Sequence, residues 1–203
     1  MSTSRLVQSL VAAAAVSSLW ALAAPASAQA PHVRGTLTSV TLSVETAKGG
    51  TETIKLAPKA GFFLVANSDM SAIQAGRFVG ITSVEKDGKR VAVEVHVFAE
   101  ALRGVGEGHY PWDLEGAPNM MTNGNIGKVE EVGADRVLKV DYKGGGEQTI
   151  TIPASAEVVF IDKATPDQLM AGRKVFIVTK KQDDGSIVAA ALVIGAEGVK
   201  PPM

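Results

Sequence analysis

Ala75-Gly76-Arg77-Phe78-Val79 and Ala171-Gly172-Arg173-Lys174-Val175 are two versions of one five-residue stretch, each at the same place in a longer series of elements. Upstream of the first, Val40, Leu42 and Val44 alternate with Thr41, Ser43 and Glu45, which is the period of a half-buried strand. Gly49-Gly50 turns the chain, Thr53-Ile54-Lys55-Leu56 alternates again, and Phe62-Phe63-Leu64-Val65 reads as a short apolar strand. Residues 69–74 predict a short helix capped by Ser68 or Asp69 and ended at Gly76. Downstream, residues 77–84 and 90–98 predict strands joined at Asp87-Gly88, a dipeptide suited to the positive φ angles of a tight hairpin.

The second half repeats the order. Gly127-Lys128-Val129 answers Gly35-Thr36-Leu37, and residues 137–142, the Gly144-Gly145-Gly146 turn, 149–152 and Val158-Val159-Phe160-Ile161 follow. A helical turn over 166–170 then leads through the second five-residue stretch to a hairpin at Asp184-Gly185, one residue out of step with Asp87-Gly88. Each small sheet must close or pack to bury its apolar face. The expected fold is therefore mainly β: two tandem OB-like five-stranded barrels over 33–98 and 126–196, each with one short helix, joined by an ordered insert over 99–125 and followed by a tail over 197–203. The halves resemble the small bacterial β domains of unknown function called DUF5666. The shared elements are an opening G-x-V or G-x-L (Gly35-Thr36-Leu37, Gly127-Lys128-Val129), the stretches from Ile73 to Val79 and from Leu169 to Val175, and the two D-G hairpins. The resemblance implies a fold and no activity.

Arg5, the apolar stretch over 6–24 and Ala26-Ser27-Ala28 follow the order of a secretory signal, so a mature chain beginning near Gln29 in the periplasm or outside the cell is expected. An uncleaved anchor is the rival; Gln8, Ser9, Ser17 and Ser18 dilute the stretch and Pro25 follows it. No later run is long and apolar enough to span a bilayer as a helix. The chain has no Cys, which excludes disulfides, thiolate metal sites and cysteine nucleophiles. A formal net charge of -1 gives no basic excess for phosphate binding, so nucleic acid is not an expected partner.

The repeat leaves 99–125 unexplained, and a loop of that length within a folded chain commonly carries function. Arg103, Glu107, His109, Trp112 and Asp113 form the expected ligand-binding set, with Trp112 as an aromatic anchor for a partner or, together with Tyr110, a staple that holds the insert to the barrels. Strand alternation places Val91, Val93, Val95 and Val97 on one face and His96 on the other, pointing away from its barrel core. The same count puts Val188, Ala190, Leu192 and Ile194 inward in the second half. An apolar outer face there calls for a cover, the insert or the other barrel.

Three functions compete. The first is an accessory binding protein whose partner is another protein or an envelope component. A metal site is the second: His96 and His109 with Met120 and Met121 would suit copper, and the same His pair with Glu107 or Asp113 would suit zinc, with His32 as a further ligand. Against it, Met pairs usually fill core gaps. Third comes an enzyme with Glu107 and His109 as acid and base, for which no nucleophile or metalloprotease motif speaks.

Overall fold

The computed structural model describes residues 36–114 and 117–202. The expected export signal over 1–28, His32 and Gly35 lie outside the described residues. Eleven strands follow one another: β1 (Thr41–Glu45), β2 (Thr51–Asn67), β3 (Phe78–Lys86), β4 (Lys89–Phe98), β5 (Gly108–Trp112), β6 (Asn119–Val132), β7 (Asp135–Tyr142), β8 (Gly146–Ile152), β9 (Glu157–Lys163), β10 (Val175–Lys181) and β11 (Ile187–Gly195). Among the described residues no helix is long and apolar enough to cross a membrane.

One barrel closes, where two were expected. Its five strands run β4, β3, β6, β7, β8 and back to β4, where Arg90 and Val91 pair in parallel with Ile150 and Thr151. The other contacts round the ring are antiparallel, so the barrel is mixed. Its core contains Val79, Ile81, Ala92, Val95, Val97, Ile126, Leu138, Val140, Ile150 and Ile152. The remaining six strands, β1, β2, β5, β9, β10 and β11, lie outside it. The barrel draws β3 and β4 from the first repeat and β6, β7 and β8 from the second. Because the repeats share one apolar pattern, exchanging a late hairpin between them buries the same side chains. Alternation alone therefore does not reveal which copy a strand will join.

The exchange is reciprocal. β4 runs on from β8 to pair in parallel with β9, Glu94 opposite Glu157 through Phe98 opposite Ile161. β11 does the same along β2, first Val188 opposite Lys55 and then Ala191 opposite Gly61 through Gly195 opposite Val65. The two systems meet where β2 pairs antiparallel with β9, and there Val65 stands opposite Ile161, its own counterpart in the repeat. Phe63 opposite Lys163 and Asn67 opposite Val159 flank that pair evenly, which is the signature of an internal twofold axis. A single buried cluster, including Val65, Phe78, Phe98, Val159, Ile161 and Val193, straddles it.

The counterpart of the barrel stays open. β10, β11, β2 and β1 follow the order of β3, β4, β8 and β7, but no strand joins β1 to β10 among the described residues as β6 joins β7 to β3. By the repeat, the counterpart of Gly127 in β6 is Gly35, and residues 36–40 have no regular structure. Ala189, Leu192 and Ile194 form the buried part of this open sheet, against partly covered Leu42, Ile54, Leu56, Phe62 and Ile177.

Two further expectations are corrected. The short helices are single 3-10 turns, Met70–Ala72 and Pro166–Gln168. Asp69 caps the first by accepting from Ser71 N at 2.7 Å, but Ile73 must leave the turn at once to enter the barrel core. Strand alternation also breaks. Thr82 faces Glu94 while Ser83 faces Ala92, so Val93 is an extra, bulged residue; it is half-exposed and Ala92 takes the inward place. The same bulge recurs at Ala190, between Val178 opposite Ala191 and Thr179 opposite Ala189, so Ala189 points inward. The Asp87-Gly88 hairpin does take positive φ at both residues, 51° and 71°.

Candidate functional site

The expected insert folds as part of the sheet. Residues 100–102 make a 3-10 turn that buries Leu102, β5 follows, and β6 runs straight through the expected boundary at 125. Directly opposed strand residues share a face. His109 stands opposite Thr122, Thr122 opposite Ile81 and Ile81 opposite Val95, so His109 shares the barrel-core side. His96 stands opposite Gly80, which faces Asn123, on the other side. Met121, opposite Thr82, joins His96, whereas Met120, opposite Pro111, joins His109. The four residues proposed as metal ligands are thus split two and two across the sheet.

His109 has other partners. His109 Nδ1 lies 2.9 Å from Thr122 Oγ1, and its ring stacks on Tyr142 with centroids 6.0 Å apart. Burial, with help from the Arg90 charge, holds the His109 imidazole below its ordinary pKa. Arg103 donates to both carboxylate oxygens of Glu100, to Asn125 Oδ1 and to the Gly76 carbonyl, which fastens the 3-10 turn to the first repeat. Trp112 packs on Tyr110 and on Phe176 of β10, with its Nε1 buried and without a partner among the described residues. Glu107 is half-buried before β5, and Asp113 is exposed after it. Arg103, His109 and Trp112 therefore act on three different neighbours.

A polar cluster that sequence reasoning did not single out lies on the outer face of β3 and β4. Thr82 Oγ1 donates to Glu94 Oε1 at 2.6 Å, and His96 Nε2 lies 3.3 Å from that same oxygen and 3.3 Å from the Pro202 carbonyl. Glu94 and His96 are 3 % and 2 % exposed. The C-terminal tail covers the outward-facing His96. A shallow cleft of about 240 Å³ beside it is lined by Glu94, Glu157, Leu114 and Lys200. The polar atoms of the cluster engage one another and the tail, so its evident work is to fasten the tail to the sheet. The available signal was a lone carboxylate, Glu94, in a run of valines.

The open sheet is different in kind, because among the described residues two of its strand edges have no partner. The outer edges of β1 and β10 have no neighbouring strand among the described residues. Of the eight large apolar residues that are exposed among the described residues, five belong to this region: Leu37, Val40, Met170, Val178 and Ile187. A free edge with exposed apolar residues near it is a feature that natural proteins otherwise cover. Arg173 and Lys174 stand before the apolar Val175-Phe176-Ile177-Val178 run, and Lys180 and Lys181 after it. None of these four cations has an ion-pair partner among the described residues.

No protein-family model, curated protein or solved structure matches the chain.

Proposed function

We propose that the chain is an exported accessory binding protein of the DUF5666-like type that holds a partner protein or envelope component on its open sheet. The carrying observation is the β10 edge, which has no neighbouring strand among the described residues and carries the exposed Val178, whereas β6 fills the matching place in the closed barrel. Export rests on the order of charge, apolar stretch and small residues over 1–28. The likeness to DUF5666 rests on the paired folding motifs. Division of His96, His109, Met120 and Met121 between two faces favours the open sheet over a metal centre as the working surface.

Photo-crosslinking from within cells of the source organism tests this reading. A benzophenone side chain in place of Val178 should give one discrete adduct, identifiable by mass spectrometry. The same group in place of Val132, which is 57 % exposed at the end of β6 in the closed barrel, should give none. Equal adduct patterns from the two positions, or none from Val178, would count against it.

A further inference from the structure

We infer that the partner enters as an extended strand of about 14 residues, the length of β6, apolar in its alternate positions and acidic where it meets the ends of β10. This inference rests on the binding reading above and names the class of partner. The internal twofold relation supplies the template. β6 first pairs antiparallel with β3, Asn119 opposite Val84 through Asn125 opposite Phe78, and then with β7, Asn125 opposite Asp141 through Val132 opposite Asp135. The place of β3 is taken in the open sheet by β10, and that of β7 by β1. Carried across the repeat, the position of Asn119 falls opposite Lys180 and that of Asn125 opposite Lys174.

Charge selects among occupants. A second copy of the chain pairing antiparallel edge to edge along β10 would bring Lys174 of one copy toward Lys180 and Lys181 of the other, and like charges opposed across strands repel. Edge lysines also deter unselected neutral strands. An acidic-ended strand meets neither obstacle. It would also cover Val178 and lie over the open side of Leu42, Ile54 and Ile177.

The probe is a synthetic peptide with the sequence of residues 119–132 carrying Asn119→Glu and Asn125→Glu, added to the mature protein. Hydrogen exchange should slow about tenfold or more at the outward-facing amides of β10, with no change at β3. A matching peptide with Asn119→Lys and Asn125→Lys should bind about tenfold more weakly, and Lys180→Glu in the protein, an exposed change, should invert that order. The inference is overturned if both peptides bind alike. It is also overturned if β10 is already as protected as β3 in the free protein, whether the seam is filled by the chain itself or by a second copy, which sedimentation would distinguish. Adducts from the Val178 crosslinker with no peptide-dependent protection of β10 would overturn the strand mode alone and leave the binding reading standing.

Discussion

Replacing Gly124 by Ala should lower stability by about 3 kcal/mol, the upper end for overpacking a tight site, and move the thermal midpoint down by roughly 6–12 °C for a chain of this size. Gly124 lies where β6 finishes its pairing with β3 and takes up pairing with β7. At such a corner two backbones pass closely, and only glycine leaves room. A Cβ there would run into the carbonyl oxygen of Asp141 and come within 2.9 Å of Val140 Cγ1. The first obstacle is main chain and the second belongs to a fully buried residue, so neither swings aside. Thermal unfolding of Gly124→Ala is the check, and an unchanged midpoint would mean that β6 does not turn this corner.

Glu94→Ala should cost about 2–3 kcal/mol, because Thr82 Oγ1 loses its acceptor and His96 its carboxylate neighbour in a place water scarcely reaches. Thr82→Val alone should cost less, and the double variant should be more stable than the sum of the two predicts, by about 1 kcal/mol or more of coupling. Denaturant unfolding of the four proteins measures that coupling. Strict additivity would show that the two side chains do not share the bond at 2.6 Å. Since Glu94, His96 and the Pro202 carbonyl form one cluster, Glu94→Ala should also loosen the tail, visible as faster exchange at Val199 and Lys200.

The order of elements was legible in the sequence. The repeated glycine-arginine stretches, the D-G hairpins and the period-two runs mark where strands begin and end, and these are local properties. Three things were hidden because they depend on neighbours distant in the chain. The bulges at Val93 and Ala190 add one residue to a strand without altering its composition, so inward and outward are miscounted beyond them. The crossing of the repeats is invisible because matching strands carry matching faces. The cover over His96 comes from Pro202, 106 residues away in the sequence, in a tail with no pattern of its own.

The candidate site followed the same division. Aromatic and charged residues of 99–125 drew notice by composition, and several do make specific contacts, Arg103 with Glu100 and Trp112 with Phe176 among them. Their assembly into one pocket required a register that a sequence does not state. β6 instead threads the end of that stretch, residues 119–125, into the barrel wall, and Met121 becomes 3 % exposed. The basic β10, with its outer edge free among the described residues, emerged only from the topology, since Lys180 and Lys181 read in isolation as the ordinary polar end of a strand.

The exchange of strands between repeats underlies both the closed barrel and the open sheet, and backbone NOEs from Val95 and Val97 test it most directly. The account predicts cross-strand contacts from these two residues to Val158 and Phe160 on one side and to Ile81 and Val79 on the other. Contacts from Val95 and Val97 to residues 51–67 of their own repeat, in place of those to β9, would contradict it.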